Sequence, residues 1–108
     1  MAKLLVDKFV TEGFSVILAQ TGREALNKIM SNPPDLILLD IMLPEGVNGF
    51  DVLESVKGNP NLKSIPVIVL TNLDTEHKVA LDMGAVDYIV KSNISLNELV
   101  AKVKSHLL

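Results

Sequence analysis

The apolar residues of this chain fall into short runs that are separated by polar and mixed stretches. Two runs, residues 36–39 (LILL) and 67–70 (VIVL), are continuously apolar, which is typical of parallel strands that are buried on both faces. A weaker run at 88–90 (YIV) and a β-branched run at 15–19 (SVILA) also have the composition of strands. The pattern therefore predicts four strands.

Stretches with helical periodicity alternate with these runs. The segments Thr21–Glu24 and Ser95–Glu98 have the spacing of a capping box, in which two side chains satisfy free backbone N–H groups at the start of a helix. Asn48 is a further candidate cap, and Gly84 is a candidate helix terminator. The predicted helices cover residues 2–11, 22–32, 49–57, 75–83 and 96–107.

The alternation of strands and helices predicts the fold class. Parallel strands that are joined by helices form a sheet with right-handed crossovers and helices on both faces. The length of 108 residues is close to the commonest size of one domain. We therefore expect a single α/β domain over residues 1–108 with a doubly wound parallel sheet.

The composition excludes several classes of function. The formal net charge is −3 and the sequence has no basic run, which argues against direct binding to nucleic acid. Cysteine is absent, which excludes disulfides, thiolate zinc sites and thiol nucleophiles. His77 and His106 stand apart from other metal ligands in the sequence, which indicates structural roles. No run has the length of a membrane span and no signal peptide is evident, so we expect a cytoplasmic protein.

Polar residues follow three of the predicted strands. Asp40, Thr71 and Lys91 come directly after the runs LILL, VIVL and YIV. Any one of these residues is explained by a local turn, a backbone contact or a solvated charge. Because ligands of open parallel sheets bind at the carboxyl ends of the strands, all three together predict a site with a nucleophile, a hydroxyl donor and a cation.

The segments around these residues resemble a known family. Residues 35–53 (DLILLDIMLPEGVNGFDVL) look like the phosphoacceptor segment of the response-regulator receiver domains of two-component signalling. Residues 66–72 (PVIVLTN) and 84–91 (GAVDYIVK) resemble the fourth and fifth strands of that family. The resemblance extends over essentially the whole chain and implies a flavodoxin-like fold of the receiver type.

The resemblance also implies a role for each site residue. Asp40 would accept a phosphoryl group from a sensor histidine kinase or a phosphotransfer protein in a phosphorelay. Thr71 would bind the phosphoryl oxygens, and Lys91 would contact the phosphate and Asp40. Tyr88 would be the aromatic residue that reorients on activation and changes the surface formed by the family's fourth helix, fifth strand and fifth helix. A downstream protein partner would bind that surface, so we expect a signalling domain rather than an enzyme.

The magnesium site that the resemblance implies is incomplete in this sequence. The family holds Mg²⁺ with the phosphoacceptor, here Asp40, with the backbone carbonyl of Met42, and with an acidic pair that follows the first strand. The chain opens instead on the predicted helix 2–11, so the first strand and the acidic pair are missing. Asp7 cannot replace the pair because it lies well inside that helix. We therefore expect weak metal binding.

The missing strand also bears on the sheet. In the family's strand order, 2-1-3-4-5, the first strand is central. We expect that residues 15–19 and 36–39 either pair directly or receive a strand from another chain, as in a strand-exchanged homodimer. A third alternative is that residues 1–108 are an N-terminally truncated form of a complete receiver domain.

Two other functions were weighed against phosphorylation. One is a phosphate-independent receiver-like interaction module, or an inactive fragment, which the missing acidic pair favours. The other is a small cofactor enzyme, which only the strand order suggests. No glycine-rich phosphate loop follows the first predicted strand, and the sequence has few aromatic residues that could stack on a flavin: Phe9, Phe14, Phe50 and Tyr88.

Overall fold

The centre of the fold is a three-stranded parallel sheet. The computed structural model describes residues 2–43 and 46–107, and leaves Pro44 and Glu45 outside its description. Within these ranges the strands are β1 (Ile37–Leu39), β2 (Val67–Thr71) and β3 (Asp87–Val90). The helices are α1 (Ala2–Thr11), α2 (Gly22–Ser31), α3 (Gly49–Gly58), α4 (His77–Asp82) and α5 (Leu96–His106), with a 3-10 turn at Lys91–Asn93.

β2 lies between the other two strands. Leu39 of β1 pairs with Val69, and Thr71 at the end of β2 pairs with Val90 of β3. The three strands therefore run in one direction and end at the same edge of the sheet. Every residue of β2 is buried, which explains why its sequence is apolar without alternation. The three predicted strands in this part of the chain are confirmed.

Helices cover both faces of the sheet. Val67 and Val69 face a core that includes residues of α2, α3 and α4. Ile68 and Leu70 face the opposite core, which α1 and α5 close. The residues divide in this way because successive side chains of a β-strand point to opposite faces of the sheet. The structure thus has the predicted α/β architecture with a doubly wound sheet.

The predicted strand at residues 15–19 is wrong. These residues form irregular backbone and do not pair with β1, whose outer edge has no strand partner within the described ranges. Ile17 and Leu18 are 52% and 42% exposed. Phe14 and Val16 instead pack against the core that α1 and α5 close. Direct closure of the sheet is therefore also wrong, whereas a strand from another chain stays a prediction.

Side chains at the helix starts mostly act as the sequence predicts. Asn48 with Asp51, and Ser95 with Glu98, form complete capping boxes. Thr21 accepts the backbone N–H of the residue three positions later, but the predicted box is incomplete because that residue's carboxylate pairs with Lys28. α4 is shorter than predicted. Among the described helices, none has the length and apolar character needed to cross a bilayer.

Candidate functional site

The candidate site lies where the three strands end. Asp40 follows β1, Thr71 is the last residue of β2, and Lys91 follows β3. Since the strands are parallel and adjacent, these residues lie along one edge of the sheet. This edge is where open α/β sheets bind ligands.

Asp40 and Lys91 form a direct ion pair. The Lys91 Nζ atom lies 2.7 Å from the Asp40 Oδ2 atom, and the two side chains are only 23% and 27% exposed. The backbone N–H of Met42 donates to Asp40 Oδ1 at 2.9 Å. Each carboxylate oxygen therefore has a donor, which fixes the orientation of the carboxylate. Asp40 makes the predicted local turn and the predicted contact with Lys91 at the same time.

Thr71 does not bond to either of these residues among the described contacts. Its side chain is fully buried, at 0% exposure. Its Oγ1 atom accepts the backbone N–H of Leu73 at 3.4 Å, which is long for a hydrogen bond. The proton of the hydroxyl group can still donate to a ligand at the strand-end edge, because a hydroxyl is both a donor and an acceptor.

Tyr88 is buried beside Thr71 and bonds to the same loop residue. Its hydroxyl donates to the backbone carbonyl of Leu73 at 2.5 Å, and the side chain is 7% exposed. The ring of His77, the first residue of α4, stacks on the Tyr88 ring with 5.2 Å between centroids and 22° between planes. Leu73 therefore links Thr71, which accepts its backbone N–H, to Tyr88, whose hydroxyl donates to its carbonyl.

Burial of the ring is the main cause that raises the pKa of Tyr88 above its usual value. A backbone hydrogen bond at Glu76 lowers this pKa, whereas the negative charges of Glu76, Asp74 and Asp40 raise it. Because Tyr88 is the only tyrosine, absorbance at alkaline pH reports on this one phenol. We expect it to titrate above the usual value of about 10. A raised pKa means that the stability contributed by neutral Tyr88 is present below pH ~10 and is lost as the pH rises through the folded-state value. Titration at the free-tyrosine value in the native state would contradict this burial.

The backbone that carries Asp40 is held by the start of α3. The N–H of Gly49 donates to the carbonyl of Ile41 at 3.2 Å. A methyl group on Gly49 would overlap the backbone of Asp40 and Ile41. The absence of a side chain at Gly49 is thus what allows α3 to pack on the loop that carries Asp40. The glycine directly after the cap Asn48 is the sequence signal for this close approach.

The described residues do not fit the expected magnesium site. No group of three or more His, Cys, Asp or Glu side chains suited to a metal occurs in the described ranges. Asp40 already has a donor on each oxygen, and Asp7 pairs with Lys3 on the exposed surface of α1. Mg²⁺ requires near-octahedral oxygen coordination, and Asp40 with the carbonyl of Met42 supplies too little of it.

Two contacts of the site were missed in the sequence. Leu73 acts through its backbone, which no side-chain pattern reveals. His77 was assigned only a structural role because no other metal ligand lies beside it in the sequence. Its contact with Tyr88 depends on how α4 packs against β3, so only the folded structure brings the two rings together.

Comparison with known proteins identifies a family over nearly the whole chain. The family model described as the response regulator receiver domain matches residues 1–104. The chain is 38% identical over 109 residues to Response regulator ArlR of Staphylococcus saprophyticus, with 99% of this chain and 47% of that protein covered. It is 35% identical over 105 residues to a probable cyclic di-GMP phosphodiesterase of Vibrio cholerae, with 92% and 23% covered. The chain thus spans less than half the length of these curated relatives.

Solved structures agree with this result. A putative response regulator from Chloroflexus aurantiacus superposes with a TM-score of 0.89 and 32% sequence identity, and the match covers 98% of this chain and 87% of that one. The structure therefore has the receiver-type, flavodoxin-like fold, although the described part of this chain has three strands where the family's order has five.

Proposed function

Since this chain belongs to the response regulator receiver domain family of two-component systems, we propose that Asp40 accepts a phosphoryl group from a histidine kinase or a phosphotransfer protein. The observation that supports this most is the 2.7 Å ion pair between Asp40 and Lys91 at the strand-end edge. It combines an oriented nucleophile with a cation that can offset the charge of a transferred phosphoryl group.

In the proposed reaction, one carboxylate oxygen of Asp40 attacks the phosphorus atom. A new P–O bond forms, and the bond between phosphorus and the donor's histidine nitrogen breaks. The nitrogen keeps that electron pair and takes a proton from solvent. Negative charge on the phosphoryl oxygens needs stabilisation during transfer, and the Lys91 ammonium is the chain's own group that supplies it.

The proposed response to phosphorylation runs through Thr71 and Tyr88. We expect the Thr71 side chain to turn toward the site and donate its hydroxyl proton to a phosphoryl oxygen, which moves its Oγ1 atom away from the Leu73 N–H that it accepts at 3.4 Å. The movement of Thr71 vacates space that the ring of Tyr88 can fill, and the bond from the Tyr88 hydroxyl to the carbonyl of Leu73 holds the ring in that buried orientation. A local change of charge would thereby reach the surface of α4 and β3.

This surface suits a protein partner. Val79 and Leu81 on α4 and Val86 before β3 are exposed apolar side chains, and such groups favour protein contacts. We propose that the downstream partner binds α4, β3 and α5, and that residues 1–108 act as one signalling domain.

A second function is favoured by the incomplete metal site. The same fold could bind partners without being phosphorylated, since the described residues offer one carboxylate where the family's chemistry uses Mg²⁺ with several oxygen ligands. This interaction module would keep the exposed α4 surface for partner binding but would not respond to phosphorylation.

The experiment that separates the two functions is intact mass spectrometry after incubation with a small phosphodonor and Mg²⁺. For a working receiver, we expect the chain to gain one phosphoryl group. Asp40→Asn, which keeps the shape of the side chain, should gain none. Asp35→Asn, which changes an exposed carboxylate just before β1, should behave like the unchanged chain. A gain that persists in Asp40→Asn would overturn the assignment of Asp40, and no gain in any variant would favour the interaction module.

A further inference from the structure

His77 covers the outer face of Tyr88. The two rings are nearly parallel, with 22° between planes and 5.2 Å between centroids, within the range of favourable aromatic stacking. His77 itself is exposed, whereas Tyr88 is 7% exposed. The imidazole therefore lies between the buried phenol ring and solvent.

We propose that His77 is a positioning residue that holds Tyr88 in its buried orientation and so sets how readily Tyr88 turns outward. This inference deepens the proposed function and rests on it where it concerns signalling. The positioning of Tyr88 can be measured without phosphorylation.

Besides its packing in the core, Tyr88 has two contacts with the short stretch of residues 73–77. The carbonyl of Leu73 accepts its hydroxyl, and the ring of His77 stacks on its face. Leu73 also bonds to Thr71, so it lies on the side of the phosphoacceptor site. His77 lies on the side of the exposed α4 surface. A ring that moves outward must break the stack, so the energy of the stack adds directly to the cost of the movement.

α4 gives His77 little support from within the helix itself. It is six residues long, and Glu76 at its start makes no side-chain cap hydrogen bond. The buried side chain of Ala80 anchors the helix to the core. A partner that binds α4 would therefore contact the residue that positions Tyr88, which couples the binding surface to the aromatic residue.

Tyr88 can be observed selectively. It is the only tyrosine, and the chain has no tryptophan, so the intrinsic fluorescence comes from one ring. The experiment compares acrylamide quenching of this fluorescence in the unphosphorylated chain and in His77→Ala, His77→Phe and His77→Leu. Removing an aromatic pair is expected to shift the balance toward the outward ring by about two- to tenfold, so quenching should rise in His77→Ala and His77→Leu. His77→Phe keeps a stacking ring and should restore the low quenching.

Lys78→Ala is the matched control on α4. Lys78 makes an exposed ion pair with Asp82, so its loss disturbs the helix surface without touching the ring pair, and quenching should stay unchanged. Circular dichroism checks that each variant is folded. If His77→Ala unfolds, His77→Leu fills the same space with an apolar side chain and serves as the test.

The outcomes separate this inference from the phosphorylation proposal. Equal quenching in the unchanged chain, His77→Leu and His77→Phe would overturn the role of His77, even if Asp40 is phosphorylated. Higher quenching in His77→Leu that His77→Phe reverses would support the role of His77, even if Asp40 takes no phosphoryl group. A rise that occurs equally in Lys78→Ala would show a general loosening of α4 and would also overturn it.

Discussion

A variant with an added N-terminal strand of five aliphatic residues followed by two aspartates is expected to be more stable than this chain by roughly 5 kcal/mol. Burial of aliphatic side chains contributes about 1.5–3 kcal/mol each, backbone hydrogen bonds add about 1 kcal/mol each, and ordering costs about 1–2 kcal/mol per residue. In residues 2–43 and 46–107 no strand pairs with the outer edge of β1, and Ile17 and Leu18 are exposed beside irregular backbone, so an added strand has an edge to pair with.

The two aspartates would supply the metal ligands that the magnesium site lacks. They would end at the same sheet edge as Asp40 and supply the carboxylates that the described residues lack. We therefore expect the extended variant to bind Mg²⁺ and to take a phosphoryl group on Asp40 faster than the chain without the extension. Urea unfolding, calorimetric titration with Mg²⁺ and intact mass measure the three effects.

Two control extensions separate stability from metal binding. An extension with the same strand and two asparagines should give the stability without Mg²⁺ binding. An extension of glycine and serine of equal length should give neither effect. If the aliphatic strand leaves the free energy of unfolding unchanged, the outer edge of β1 is not a site for a strand.

Gly49→Ala is expected to destabilise the chain by about 3 kcal/mol and to abolish phosphorylation of Asp40. Its methyl group would overlap the backbone of Asp40 and Ile41, and overpacking costs typically 1–3 kcal/mol when the neighbours have to move. Here the neighbours include backbone atoms of Asp40, the proposed nucleophile. The strain would therefore displace the carboxylate from Lys91 as well as lower stability, and urea unfolding and intact mass would report both.

Gly58→Ala is the matched control. Gly58 ends the same helix, and an added methyl group there meets no atom within 4 Å. Alanine should therefore be neutral or should stabilise the helix by about 0.5–1 kcal/mol. Equal stability and equal phosphorylation of the two variants would show that the approach of Gly49 to the Asp40 loop does not matter.

The sequence predicts the sheet well where a strand is specified by its own residues. The apolar run of β2 requires burial on both faces, and the structure confirms it. Residues 15–19 also have a strand-like composition, but a strand needs a neighbour for its backbone groups as well. Composition within a segment cannot supply that neighbour, which is why this prediction failed.

The sequence likewise reveals some residues of the candidate site and not others. Asp40, Thr71 and Lys91 could be found because strand ends are visible in the sequence and parallel strands share an edge. The 2.7 Å contact between Asp40 and Lys91 agrees with that geometric argument. The bonds of Leu73 and the ring contact of His77 could not be found, since they depend on the path of a loop and on how α4 packs.

The outer edge of β1, which pairs with no strand in the part of the chain that the structure describes, also affects how self-association of this chain should be interpreted. Open N–H and C=O groups on an edge strand are a template for pairing with another chain. A dimer formed by this chain in concentrated solution could therefore arise from edge-to-edge pairing and carry no regulatory meaning. Covering the edge with the added strand removes that template, so a dimer that persists in the extended variant must use a different surface.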